Sequence, residues 1–137
     1  MKKIILLVLI CFAQNSFSQS KNTQTTNPDK DNTIYNAAGI DVKPEFPGGM
    51  EKLHKFINQN YIIPKDKPAD IKGKVYVTFI IEKDGSLSEI KAIKDIGYGT
   101  GAEAIRIMKK CPKWIPGKIN NNPIRVLYSI PIYANTK

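Results

Sequence analysis

Residues 74–94 read KVYVTFIIEKDGSLSEIKAIK. Val75, Val77, Phe79 and Ile81 alternate with Tyr76, Thr78 and Ile80, so Lys74 to Glu82 is expected to be a strand with two fairly apolar faces. Lys83-Asp84-Gly85 is a hairpin turn, because Asp-Gly supplies the positive φ that tight turns need. Leu87 to Lys94 is the returning strand. Leu87, Ile90 and Ala92 break a strict period of two, which points to a bulge.

Outward toward the C-terminus, Gly97 to Gly101 is a glycine-rich connector. Ala102 to Lys110 is expected to be a helix, with Ala104, Ile105 and Met108 on its buried side and Pro112 as its stop. Trp114 to Lys118 and Asn120 to Asn122 form a long turn. Ile124 to Tyr133 is the last strand, with Val126, Tyr128, Ile130 and Ile132 on one side and Arg125, Leu127, Ser129 and Tyr133 on the other. Outward toward the N-terminus, Met50, Leu53, Phe56, Ile57 and Tyr61 recur at three- and four-residue steps, the apolar stripe of a helix from about Met50 to Asn60. Pro44 to Gly49 is a turn cluster before it. Pro64 and Pro68 frame an extended loop behind it. The order α-β-β-α-β fits an α+β domain: a three-stranded antiparallel sheet covered on one face by two helices.

Composition narrows the function. The chain has 137 residues, 42% of them apolar and 24% charged, with a formal charge of +9, two cysteines and one histidine. One histidine and two scattered cysteines do not assemble a usual zinc site, and they exclude a disulfide-stapled miniprotein. The lysines are scattered over helices and loops rather than gathered in a stripe with aromatics, so nucleic acid is not the expected partner. The surplus favours solubility and acidic partners. Gly99-Thr100-Gly101-Ala102-Glu103-Ala104 matches G-x-G-x-x-A, but the preceding strand is lysine-rich and no acid stands about 20 residues on, so a turn capping a helix is the better reading. His54 lies off the apolar stripe with no base or nucleophile near it in sequence. Glu82 and Asp84 are turn formers beside a hairpin tip. Cys111 is a small buried apolar residue at a helix end, and Trp114 a core plug under the last strand. Nothing here points to an enzyme, a cofactor or a small-molecule substrate.

The first residues bear on compartment. Met1-Lys2-Lys3 is a basic start and Ile4 to Ala13 an uncharged apolar run. Ser16 and Ser18 follow at the spacing a signal peptidase prefers. Residues 1–18 therefore read as a cleavable export signal, the run of about ten residues being short of a membrane span; an uncleaved anchor or lipidation at Cys11 is the lesser alternative. Residues 19–41 read as a polar flexible leader, since Gln19 to Asn32 has no apolar residue to offset its ordering. Residues 42–137 are then the folded domain.

These landmarks together resemble the C-terminal domain of TonB. The resemblance is carried by Pro44-Glu45-Phe46-Pro47-Gly48-Gly49; by Gly73-Lys74-Val75-Tyr76-Val77 with Phe79 and Ile81; by Asp84-Gly85-Ser86 and Glu103-Ala104-Ile105-Arg106; by Pro112-Lys113-Trp114-Ile115-Pro116-Gly117-Lys118; and by Pro123-Ile124 through Tyr128 to Pro131-Ile132. Ile63-Pro64 stands where the family often has Tyr-Pro, and Asn121-Asn122 where it often has a turn glycine. A TonB energy transducer also has a membrane helix and a long Pro-rich linker; the export signal and short leader here resemble instead a free-standing periplasmic module. The resemblance implies a binding mode, strand addition: a segment of an outer-membrane TonB-dependent receptor pairs with an exposed edge of the last strand. The implied contact residues are Ile124, Arg125, Val126, Leu127, Tyr128, Ser129 and Ile130. Backbone bonds there contribute about 1 kcal/mol each net, and Pro131, lacking a donor, should cap the usable edge. The alternative is an untethered structural or regulatory envelope protein that forms a homodimer, or binds other partners, through the same edge.

Overall fold

The computed structural model describes residues 32–63 and 71–134. The expected export signal, the first part of the leader and the Pro64–Pro68 loop fall outside the described residues. The elements are β1 (Ile34–Asn36), α1 (Met50–Asn60), β2 (Lys74–Ile81), β3 (Leu87–Lys94), α2 (Thr100–Lys109), β4 (Lys118–Ile119), β5 (Asn122–Pro123) and β6 (Arg125–Tyr133). The main sheet has the order β1-β6-β2-β3, and β4-β5 is a separate two-stranded hairpin.

The α+β class and the run of two helices and three long strands follow the pattern of the sequence. The strand count differs. Where three strands were expected there are four, because β1 pairs in parallel with the start of β6, Ile34 opposite Arg125 and Asn36 opposite Leu127. β1 therefore lies ahead of Val42, within the stretch read as leader. A three-residue strand with a single half-buried side chain, Tyr35, leaves no periodicity to read.

β2 is the centre. Its odd-numbered residues Val75, Val77, Phe79 and Ile81 join one core with Leu53 and Ile57 of α1, with Ala104, Ile107 and Met108 of α2, and with Ile130 and Ile132 of β6. Both helices thus cover the same face. Each such fully buried aliphatic or aromatic side chain contributes about 1.5–3 kcal/mol. β2 and β6 are paired antiparallel without interruption from Lys74–Tyr133 to Ile81–Val126. β2 and β3 are not: the register shifts twice, and Glu89 takes φ 46°. The shift at Glu89 is the expected bulge, one extra residue that lets Leu87, Ile90 and Ala92 all reach the core, and the other shift lies between Ala92 and Lys94.

Trp114 fills the gap between the sheet and the segment before α1. It lies edge-on to Phe46, Phe79 and Tyr128, ring centroids 5.6, 5.4 and 5.7 Å away, the core-plug position. Backbone bonds reinforce this join, Ile115 N–H donating to Glu45 O and Glu45 N–H to Ile115 O. The β4–β5 turn is made by Asn120 and Asn121, both at positive φ. The sequence reading placed that role one residue later.

Candidate functional site

The backbone direction of β6 decides what it can offer a partner. Ala134 N–H donates to Gly73 O directly across the β2–β6 pair. In an antiparallel ladder the N–H and C=O of successive residues point to alternate sides. Even-numbered residues of β6 therefore turn their backbone groups toward β2, and odd-numbered residues turn theirs to the outer edge. Of the outward set, Arg125 and Leu127 face β1. Ser129, Pro131 and Tyr133 face no strand among the described residues. Pro131 lacks an N–H, so its ring sits where no ladder bond to β2 is lost.

The seven residues expected to contact a partner divide accordingly. Ile124, Val126 and Ile130 are buried, and Ile124 N–H donates to Gly117 O. Tyr128 is half-buried against Phe79 and Trp114. Leu127 is 44% exposed on the open face of the sheet, its backbone groups directed at β1. Arg125 is held by its surroundings: Nε and Nη2 donate to the two carboxylate oxygens of Glu82 at 2.8 and 3.0 Å, and Nη1 donates to Asn32 O at 3.0 Å. Ser129 is exposed and outward-facing on both counts.

Glu82 is thus more than a turn former. It also accepts from Ser88 Oγ. The hydrogen bonds from Arg125 hold its carboxyl below the usual carboxylate range, against burial, which acts the other way. Asp84 does serve the turn, accepting from Ser86 N–H and Oγ.

Beside the open half of β6 lies a groove of about 230 Å³, lined by His54, Ile57 and Asn58 of α1 and by Pro131, Ile132 and Tyr133. Three consecutive strand residues line it, so it opens at the strand's edge and not on one face alone. His54 contributes here as a groove wall. These α1 residues and Tyr133 were not among the expected contacts, because sequence spacing does not tell that α1 flanks the end of β6.

The other chemical temptations resolve structurally. Gly97, Tyr98 and Gly99 all take positive φ ahead of α2. A Cβ at Gly101 would lie 2.5 Å from Asp95 Oδ2. A carboxylate therefore sits against the helix start where a phosphate would have to lie. Burial pushes the Cys111 thiol up to about 11, only partly opposed by the Trp114 indole beside it. That indole N–H has no hydrogen-bond partner of ordinary geometry, so the sulfur contact is weak. No group of three or more His, Cys, Asp or Glu stands ready to hold a metal ion among the described residues. None of the described helices is long and apolar enough to cross a membrane.

Fold and site thus define a small α+β domain with a sheet edge half-open among the described residues, beside an apolar groove. The model of the family described as Gram-negative bacterial TonB protein C-terminal matches residues 65–133. The chain belongs to that family, whose members are non-enzymatic binding and energy-transduction domains associated with outer-membrane receptors, transport and the periplasm. No curated protein and no solved structure matches the chain significantly.

Proposed function

We propose that this domain docks extended segments of outer-membrane TonB-dependent receptors by adding them as a strand to the open half of β6, in support of energy-coupled transport. The observation that carries the reading is the outward backbone of Ser129 and Tyr133, with the carbonyl alone of Pro131 between them, which follows from the Ala134–Gly73 bond and has no strand beside it among the described residues. The opposite sheet edge is a poorer template. β3 carries a bulge at Glu89 with Lys91 and Lys94 beyond it, the features that discourage edge pairing. A guest on β6 would also lie over the groove, which takes an apolar side chain between Ile57 and Tyr133. Relative to the contacts implied by resemblance, the docking segment moves toward the C-terminus, to Tyr128–Tyr133.

Export belongs to the same reading. Residues 1–18 act as a cleaved signal, delivering residues 19–137 to the periplasm. Mass spectrometry of the mature protein should then find an N-terminus at Gln19.

The docking reading is tested by a photo-crosslinking amino acid at Ser129 in the full chain, in cells. Adducts to outer-membrane receptors, mapped by mass spectrometry to a short extended segment, are expected. Adducts only to a second copy of this chain would favour the homodimer instead, and no adduct at all would remove the edge from consideration.

A further inference from the structure

We propose that β1 is an intramolecular occupant of the docking edge, a stretch of this chain that a guest strand must displace to use the full length of β6. The inference rests on the edge of β6 being the docking surface. It goes further in assigning a role to residues 32–36.

β1 sits on half of that edge. The register sets Tyr35 opposite Val126. It therefore lies between Arg125 and Leu127, the position from which a parallel strand exchanges backbone bonds with both. Those two residues are among the seven that the family resemblance assigns to a guest. What holds β1 there is its backbone pairing, the Asn32 O–Arg125 bond and one half-buried side chain, Tyr35. Ile34 is 44% exposed and Asn36 is exposed. No β1 side chain belongs to the core cluster. By contrast β2 holds the other side of β6 through eight paired positions and a continuous apolar face. A short strand bound through backbone and little buried area is the kind of element that opens well below the global unfolding free energy.

Arg125 acts as the latch, and its wiring favours reversibility. One guanidinium nitrogen reaches Asn32 O, while the other two stay on Glu82. When β1 leaves, Arg125 remains fixed by Glu82 with one N–H free to bond a carbonyl of the incoming strand. A guest that first pairs with Ser129, Pro131 and Tyr133 can therefore extend toward Arg125 by strand exchange. With β1 closed, the affinity for a guest that needs Arg125–Leu127 falls by the fraction of molecules that are open.

The test uses the full chain and a fluorescein-labelled peptide of residues 31–38, DNTIYNAA, as the probe strand. Tyr35→Pro removes the N–H that β1 directs at β6 and should bind the peptide about tenfold more tightly than wild type. Asn36→Cys/Leu127→Cys joins two residues paired across the β1–β6 ladder; when oxidised it should bind no peptide, and reductant should restore wild-type binding. Wild type oxidised in parallel controls for Cys11 and Cys111. Equal affinity in all three proteins overturns the proposal. So does a natively folded Tyr35→Pro protein that ignores the peptide, and so does a Tyr35→Pro protein that cannot fold, since β1 would then be core. If the peptide follows the expected order while Ser129 yields no receptor adducts, the receptor reading falls and the latch stands.

Discussion

Gly85 shows how one turn residue ties two parts of the chain. Asp84-Gly85 is recognisable as a hairpin tip from sequence, and Gly85 does take φ 85°. The structure adds that Gly85 O accepts from Trp114 N–H at 2.8 Å, and that a Cβ there would stand 1.9 Å from Trp114 O. Gly85→Ala therefore combines a strained φ with a backbone collision. It should cost about 2 kcal/mol or more, read as a lower urea midpoint, whereas Gly39→Ala, with positive φ but open space around it, should cost less. Cys111 belongs to this scale too. With its thiol pushed up to about 11 against an ordinary 9.0, alkylation by iodoacetamide near pH 8 should run about a hundredfold more slowly than for a free thiol. Rapid labelling of Cys111 in the native protein would contradict that.

Among the elements, α1 and β6 carry most of what the site needs. The α1 stripe was legible at three- and four-residue steps, and Leu53 and Ile57 are its two buried residues. Leu53→Ala should destabilise the domain by about 2–5 kcal/mol. The two faces of β6 were legible as well: Val126, Ile130 and Ile132 are buried and Leu127, Ser129 and Tyr133 are exposed. What alternation of side chains cannot tell is which neighbour each backbone group meets, and that separates two proline substitutions. Ser129→Pro removes a donor aimed at the open edge and should leave the fold nearly intact while abolishing receptor capture. Val126→Pro removes a donor aimed at β2 and buries a ring in the core, so it should unfold the domain. Circular dichroism melting together with pull-down of outer-membrane receptors checks the pair; equal loss of stability in both would mean the backbone direction of β6 is reversed. β1 lies within the stretch read as leader and is three residues long, too short for a period to show.

Across the whole domain, half-buried ion pairs set the response to acid. Hydrogen bonds from Arg125 hold Glu82 below its ordinary 4.5, and those from Arg106 do the same for Glu103, which also accepts from Ile62 N–H at 2.8 Å. The unfolded chain takes up protons at higher pH than the fold does. The stabilisation is thus complete above about 4.5 and is lost as pH falls below it through the depressed folded values. Urea midpoints should drop from about pH 6 to about pH 3, and Glu82→Gln should flatten part of that slope. A wild-type midpoint unchanged over that window would contradict the assignment.

The sequence by itself determined the two helices, the three long strands, the hairpin turn, the bulge and the family, because each is written in local periodicity or in turn chemistry within a few residues. Only the tertiary structure decided that a fourth strand lies on β6, that Glu82 grips Arg125 forty-three positions away, and that α1 walls a groove at the strand's end. Those facts depend on which distant segments become neighbours, and a chain's local preferences do not encode the side of a strand on which its neighbour will lie.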